Sequence, residues 1–505
     1  MRKIKTCLIS VFNKDGLSEI IAELKKSDIR ILSTGGTYTY LTEHGLQVDK
    51  VEDLTSYPSI LDGRVKTLHP KVFGGILARR ADDHLQQLGQ YEIPEIDCVV
   101  VDLYPFEETV KSTTDEATII EKIDIGGIAL IRAAAKNYGD VVIIPSKEQY
   151  ADLVQILQND ATSSLEERKD LAREAFKVSS HYDTAIFDYF DEGKQEKNFK
   201  HSILGGQVLR YGENPHQQGI YFGEMDSLFH KLSGKELSYN NLVDVDAAVA
   251  LMSEFHAGDP CFAVLKHTNP CGIAIRPTIL EAWHAALAGD PVSAFGGILI
   301  ANKEIDLATA EEIDKLFYEV LIAPSFSEDA VALLTQKKKR VLMKINHFNI
   351  NKKIFKSILN GVIQQDADHK VTQSSDLEIV TKKTPSVEDI DDMLFAEKCA
   401  KHLKSNTIVL ASGKQLLGMG SGQTSRVDAC NQAIDKAKRM GFSLDGAVMA
   451  SDAFFPFPDC VELAHKAGIT SVIQPGGSIK DKLSIEYCDN NDLAMVFTGT
   501  RHFKH

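Results

Sequence analysis

The segment VLKHTNPCG gathers the most reactive side chains of the sequence: Lys266 and His267 end an apolar run, and Asn269-Pro270 turns the chain. A histidine can take up or release a proton near neutral pH, and a lysine supplies a compact positive charge. Strand neighbours point to opposite faces, so both can serve one pocket only near the strand end, where the regular pleat breaks down. A lone strand histidine is ordinarily a satisfied core residue, but a lysine beside it in an apolar run needs a reason to be there. Zinc chemistry is the first alternative. Zinc nucleoside deaminases need H-x-E and P-C-x-x-C, and here Pro270-Cys271 is followed by Gly272-Ile273-Ala274, without the second cysteine. No other Cys/His group has metal spacing, so no catalytic metal is expected.

Four further segments offer phosphate chemistry. STGGT (Ser33–Thr37) ends an apolar run and opens a helix, so its N–H groups, hydroxyls and positive helix end form an anion cradle. IDIGG (Ile123–Gly127) offers a second turn of that kind through Gly126 and Gly127. Between them lie GRVKTLHP, with Arg64, Lys66 and Thr67, and DLYPF, with Tyr104. Each alone also reads as a tight turn or a solvated loop. Cations beside two glycine turns fit a nucleotide-phosphate pocket better.

The elements that must position these groups are α/β throughout. TCLISVF precedes LSEIIAELKKS, whose Leu17, Ile20, Ile21 and Leu24 have helical spacing. IRILSTGG, DCVVVDLYPF and DVVIIPS are apolar runs separated by helices, the pattern of a doubly wound parallel sheet covered on both faces. Ligands of such sheets sit beyond the carboxyl ends of the strands, where the four segments can converge. DEGKQEKNFKH (residues 191–201) is polar without apolar period and reads as a linker, giving domains 1–195 and 196–505. Beyond it, two series of strands and helices follow in similar order. Each series has a strand leading to a Ser-Phe segment, Ser293-Ala294-Phe295 and Ser451-Asp452-Ala453-Phe454. They indicate two related α/β subdomains, about 196–360 and 361–505.

At 505 residues the chain exceeds one compact core. Its net charge of −15 argues against bulk affinity for nucleic acid or acidic membranes, so small anions must be held by local donors. The single Trp283 gives no hint of a base-stacking surface, and Lys337-Lys338-Lys339-Arg340 reads as a solvated loop. Eight scattered cysteines form no C-x-x-C pair, the first residues lack a signal-peptide apolar region, and no apolar stretch approaches the ~18–20 residues of a membrane span. A cytoplasmic, reduced protein is expected.

SVFNK, STGGT, DGRVKTLHP, IDIGG and RAAAKN also occur in the order and spacing of the inosine monophosphate (IMP) cyclohydrolase domain, which this segment resembles. That resemblance implies a methylglyoxal-synthase-like fold, with Ser10, Lys14, Ser33, Thr34, Gly35, Gly36, Thr37, Arg64 and Thr67 holding the ribose phosphate. It further implies Lys66, Tyr104, Asp124 and Lys136 around the ring-closing atoms. The reaction is intramolecular attack of a carboxamide nitrogen on a formamide carbon with loss of water, so positioning supplies much of the rate. One departure stands out: the family usually has Asn before Leu-Tyr-Pro, where this chain has Asp102.

RYGENPHQ, LKHTNPCG, SDAFFPFPD and RHF resemble aminoimidazole-carboxamide ribonucleotide (AICAR) formyltransferase, whose two subdomains have a cytidine-deaminase-like fold without zinc. With the N-terminal match, the likeness covers nearly the whole chain and points to the bifunctional family of the last two purine-synthesis steps. It implies that Arg210, Tyr211, Asn241, Glu319, Arg426 and Arg501 bind the ribonucleotide AICAR. Phe295 and Asp452 would receive the reduced folate 10-formyltetrahydrofolate, which donates the formyl group. His267 would take the amine proton, and Lys266, with Asn406, would stabilise the tetrahedral oxyanion. The product, FAICAR, would then close to IMP. A homodimer is implied as well. The competing readings are an allosteric nucleotide-binding protein, which would leave the C-terminal groups unexplained, and the zinc deaminase already weakened above.

Overall fold

The computed structural model describes residues 1–192, 194, 198–348 and 353–505. The chain divides into two compact units, Met1–Leu204 and Gly205–His505. The sequence boundary at 195/196 falls outside the described residues. The polar run it relied on follows a helix that reaches Asp191, and the division lies at Leu204.

In the first unit, strands β1 (Thr6–Ser10), β2 (Arg30–Ser33), β3 (Asp49–Lys50), β4 (Cys98–Val101) and β5 (Val142–Ile144) form a sheet in the order β3-β2-β1-β4-β5. Every pairing is parallel. Central strands of such a sheet must be apolar on both faces, and Leu8, Ile9, Cys98, Val99 and Val100 are all buried. Helix α1 (Leu17–Leu24) buries Leu17, Ile20, Ile21 and Leu24 against it. Helices α2 (Gly35–Glu43), α3 (Gly126–Lys136) and α4 (Leu165–Asp191) complete the parts that matter below. A Ser164–Glu167 capping box starts α4.

The second unit opens with a ribbon of β6 (Gly206–Val208) and β7 (Ile220–Phe222). Its main body is built twice on one plan. The first half runs β8 (Phe229–Ser233), α5 (Tyr239–Ser253), β9 (Cys261–Lys266), β10 (Asn269–Ile275), α6 (Ile279–Ala288), β11 (Gly297–Ala301), α7 (Leu307–Asp314), β12 (Tyr318–Ala323), α8 (Glu328–Leu334) and β13 (Val341–Ile345). A hairpin follows, β14 (Lys353–Ile358) with β15 (Gly361–Asp366). The second half repeats the order as β16 (Glu378–Ile379), α9 (Val387–Lys401), β17 (Ile408–Ser412), β18 (Gln415–Gly420), α10 (Arg426–Arg439), β19 (Val448–Ser451), α11 (Asp459–Ala467), β20 (Ser471–Gln474), α12 (Asp481–Asn490) and β21 (Ala494–Phe497).

Among the described residues the two halves form one twelve-stranded mixed sheet, in the order β8-β13-β12-β11-β9-β10-β18-β17-β19-β20-β21-β16, joined by the bridge Ala274–Gln415. The second half is related to the first by a two-fold rotation about that seam, where β10 and β18 pair antiparallel. Side chains of α5 and α9 share one core cluster on one face of the sheet, whereas α6–α8 and α10–α12 cover separate clusters on the other. Two details correct the sequence reading. The subdomain boundary at 360/361 cuts the tip of the β14–β15 hairpin. The two Ser-Phe segments are not equivalent either, because Ser293–Phe295 precedes β11 whereas Ser451 ends β19.

Trp283 is core, packed edge-on to Phe262 at 5.0 Å. The basic run is only partly solvated: Arg340 is buried, pairs with Asp314 at 2.7 Å and lies over the Tyr318 ring. All eight cysteines are free, seven of them buried.

Two candidate active sites

The parallel sheet of the first unit winds outward from β1 to β3 and then returns to the other side for β4 and β5. This places a topological switch point between β1 and β4, at the carboxyl ends of the strands. A cavity of about 770 Å³ opens there. Its lining gathers Ser10, Lys14, Thr34, Gly35, Gly36, Thr37, Arg64, Lys66, Thr67, Tyr104, Asp124, Gly126 and Gly127 from distant parts of the sequence. Two expected residues do not join them. The Ser33 side chain is fully buried and its hydroxyl donates to the Ile9 carbonyl at 2.7 Å, tying β2 to β1. Lys136 is the last residue of α3, whose first residues line the cavity, so about 15 Å of helix separates it from them. It lies instead in a surface hollow with Lys169, Arg173 and Phe176.

Within the cavity, backbone conformation makes room for the lysine. Gly35 and Gly63 have φ of +53° and +86°, and a Cβ at Gly63 would lie 2.2 Å from Lys66 Cε. The Thr34 hydroxyl donates to Glu52 at 2.7 Å, and the Thr37 hydroxyl donates to the Val11 carbonyl while accepting its N–H. Those hydroxyls hold the loops, so the cradle for an anion is the set of N–H groups opening α2. Arg64 pairs with Glu121.

Asp124 accepts the Gly127 N–H at 2.6 Å, capping α3, and burial raises its pKa despite that bond. Tyr104 is pushed up by burial, then by Asp124 and Glu121. Tyr182 fixes this loop by donating to the Lys122 carbonyl at 2.7 Å and accepting the Asp124 N–H. Sequence reasoning missed Lys122, which lies over the rings of Phe12 and Tyr104 at 5.5 and 5.6 Å. Its only signal was a cation just ahead of IDIGG.

Asp102 has a specific job. Its two carboxylate oxygens take the N–H groups of Phe12 and Asn13, clamping the loop after β1. The carboxylate offers a separate oxygen to each N–H, where an asparagine would have one oxygen for both. Burial raises the Asp102 pKa, and these two N–H bonds, then Lys14, partly offset this.

In the second unit, strand direction does the gathering. β9 ends where β11 begins, since Leu265 pairs with Ile298. β19 ends where β17 begins, since Ser451 pairs with Ile408. Lys266, His267, Phe295, Asn406 and Asp452 therefore all lie at one end of the sheet. Arg426, opening α10, and the tail after β21 emerge at the same end. The Lys266 Nζ donates to the Phe295 carbonyl at 2.5 Å. The tail folds back over this edge: Ser405 N–H donates to the Lys504 carbonyl at 2.9 Å and His502 N–H to the Asp452 carbonyl. Arg501 and Phe503, whose side chains stack, lie on either side of His502 in this returning tail.

His267 and Thr268 form the two-residue turn between β9 and β10, with φ of 50° and 64°. Positive φ at both central residues marks a type I′ hairpin turn, usually reserved for Gly, Asn or Asp. The pleat thus ends at Lys266, and His267 is exposed at the tip. The Thr268 N–H donates to Asp244 on α5 at 2.8 Å, a contact that sequence reasoning did not anticipate.

Other expected ligands have protein partners. Arg426 donates to Asp452 at 2.8 Å, while its Nε and the second Asp452 oxygen are buried without partners. Glu319 pairs with Lys235 at 2.5 Å, and Asn241 completes a capping box with Ser238 at the start of α5. Arg210 lies over the Tyr211 ring, and this segment docks on α5 through a bond from Asn240 to the Glu213 carbonyl at 3.1 Å. The Asn406 amide nitrogen donates to the Gln423 and Thr424 carbonyls, leaving its oxygen as an acceptor. Burial pushes the Cys271 thiol up to about 11. Among the described residues no group of three or more His, Cys, Asp and Glu side chains could hold a metal, and no helix is long and apolar enough to cross a membrane.

Comparison with known proteins places both units. A family described as the AICARFT/IMPCHase bienzyme matches residues 134–436, and an MGS-like domain matches residues 16–129. A protein of Bacteroides thetaiotaomicron called bifunctional purine biosynthesis protein PurH is 59% identical over 100% of this chain and 99% of its own length. A protein of the same name from Acetivibrio thermocellus is 46% identical over 99% of this chain and 100% of its own. A crystal structure of ForH is 33% identical, covers 37% of this chain and 99% of its own, and superposes with a TM-score of 0.34.

Proposed function

The chain belongs to the AICARFT/IMPCHase bienzyme family, a bifunctional enzyme of purine biosynthesis that joins formyl transfer from a folate donor to an IMP cyclohydrolase step, and from that premise we propose how its two sites divide the work. Formyl transfer belongs to residues 205–505. The AICAR amine attacks the formyl carbon of 10-formyltetrahydrofolate, His267 takes the amine proton, and Lys266 stabilises the oxyanion of the tetrahedral intermediate. The bond to the folate nitrogen then breaks, and that nitrogen receives a proton from His267. The Asn406 oxygen is an acceptor suited to orienting the amine. Arg501, Arg426 and Arg210 are the cations at this end for the ribonucleotide phosphate, and Phe295 and Asp452 flank the folate. The step needs only proton transfer and oxyanion stabilisation, which these side chains supply without a metal.

Cyclisation belongs to the N-terminal cavity. The N–H groups of Gly35, Gly36 and Thr37, with Lys14, Ser10, Thr67 and Arg64, take the phosphate of FAICAR, and Arg64 exchanges Glu121 for it. The carboxamide nitrogen attacks the formamide carbon, Lys66 steadies the resulting oxyanion, and Tyr104 and Asp124 move the protons that leave with water. Gly126 and Gly127 bring the start of α3 to the substrate.

The observation that carries this reading is the exposed His267 turn, at the sheet end shared with Asn406, Asp452 and the C-terminal tail. Supplying AICAR and 10-formyltetrahydrofolate tests it. IMP should form, Lys66→Ala should stop the reaction at FAICAR, and His267→Ala should stop it before FAICAR. FAICAR formation by His267→Ala would contradict the assignment.

The chain also acts as a homodimer in this reading. The β14–β15 hairpin is exposed on both faces yet carries Ile354, Ile358, Leu359, Val362 and Ile363, and the β6–β7 ribbon exposes Val208, Ile220 and Phe222. Such arms suit burial against a second copy. Sedimentation at micromolar concentration should give twice the 55.7 kDa chain mass. Free, buried thiols suit a reducing cytoplasm.

A further inference from the structure

We propose that Asp244 is a positioning residue for formyl transfer, which holds the His267–Thr268 turn through one oxygen and steadies the His267 imidazole with its charge. The turn needs such support. Thr268 is β-branched and sits at a φ of 64°, a conformation that such residues avoid. The turn's own side chains help: the Thr268 hydroxyl and the Asn269 amide both donate to the His267 carbonyl, at 2.7 and 2.8 Å. Asp244 supplies the contact from outside the hairpin, accepting the Thr268 N–H at 2.8 Å on Oδ1. Because Thr268 directly follows His267 in the turn, that bond holds the carboxylate next to the histidine's own segment. Burial raises the Asp244 pKa, and the Thr268 N–H and then the charge of His267 draw it back.

The repeated architecture shows what this aspartate does when no chemistry is asked of it. Asp392 occupies the same place on α9, six residues after the capping Ser386, as Asp244 does after Ser238. It clamps the equivalent β17–β18 turn, Gly413-Lys414, which is also at positive φ. There both oxygens are used, taking the Gly413 N–H at 2.7 Å and the Lys414 N–H at 2.6 Å. Asp244 gives the turn only one oxygen. The other is left for the imidazole.

The inference rests on His267 being the base of formyl transfer. The full-length variants Asp244→Asn, Asp244→Ala, Asp392→Ala and His267→Ala are compared in steady-state formyl transfer with both substrates varied. Cyclohydrolase activity serves as a control on the same preparations. Asp244→Asn, which keeps an oxygen for the Thr268 N–H but not the charge, should lower kcat by roughly threefold to tenfold with both KM values unchanged. Asp244→Ala should lower kcat further, by about a hundredfold, the order expected when a reacting group is misplaced. Asp392→Ala should leave kcat within about twofold, since its turn carries no reacting group. Wild-type kcat in Asp244→Asn overturns the proposal, as does an equal kcat loss in Asp244→Ala and Asp392→Ala. Near-normal transfer by His267→Ala would instead remove the reading on which it rests.

Discussion

The two halves of the large sheet share a scaffold and differ at its tip. In both, a serine-capped helix precedes an antiparallel hairpin, the hairpin turn has two residues at positive φ, and an aspartate on the helix holds the turn. In both, strand glycines let the next helix approach closely: a Cβ at Gly272 would lie 1.8 Å from the Ala286 carbonyl oxygen, and one at Gly420 would lie 1.9 Å from that of Ala429. What differs is what the turn carries. One half uses Gly413-Lys414, where glycine meets the conformational demand at little cost. The other uses His267-Thr268, where neither residue suits it. Holding unsuitable residues in a strained turn is the usual mark of a functional site.

The largest effect expected from this contrast is on rate. His267→Ala should reduce formyl transfer by roughly 10²–10⁴-fold, the range for loss of a general acid–base, while Lys414→Ala at the matching turn should leave it essentially unchanged. Steady-state assays decide this, and comparable losses in both variants would erase the distinction between the halves. Next come the glycines. Gly272→Ala and Gly420→Ala each force a helix away from its strand and should each destabilise the second unit by about 1–3 kcal/mol or more in urea unfolding. Similar losses would show the halves to be equivalent as scaffold.

A smaller effect concerns the seam. Glu254, at the end of α5, receives Lys401 at 2.8 Å and His402 at 3.1 Å from the end of α9. Burial alone would raise its pKa, but these hydrogen bonds outweigh burial and hold it down to about 2. Because this folded pKa lies below that of an unfolded glutamate, these contacts stabilise the fold above about pH 4.5, and that contribution fades as pH falls toward 2. Glu254→Gln should be less stable near pH 7, by on the order of 1–3 kcal/mol, and the difference should shrink on acidification. Denaturation midpoints across pH 3–7 would measure it.

Much of this was legible in the sequence because it rests on local patterns. Apolar runs ending in STGGT, DLYPF and IDIGG marked strand ends, and a parallel sheet has its binding edge there. The pair Lys266-His267 was visible at the end of an apolar run, and the expected break in the pleat is the turn itself. The structure places residues away from where the sequence pattern put them when side-chain direction or helix length decides. Ser33 belongs to STGGT but points into the sheet, and Lys136 shares a helix with Gly126 but lies at its far end. The Ser-Phe likeness between the halves misled, because two residue types at short spacing do not fix which end of a strand they occupy. Asp244 and Asp392 had a signal that went unused: each stands six residues after a serine that caps a helix leading into a hairpin. Lys122 depends on where the loop before α3 folds, which periodicity does not encode.

The proposed division of one chain into two separate reactive centres, the His267 turn and the Lys66 cavity, stands or falls on complementation. The most direct measurement mixes the purified Lys66→Ala and His267→Ala proteins with AICAR and 10-formyltetrahydrofolate. Neither variant alone should make IMP, and the mixture should, as FAICAR released by the first is closed by the second. A mixture that stays inactive while the His267→Ala protein also fails to close supplied FAICAR would contradict the separation of the two sites.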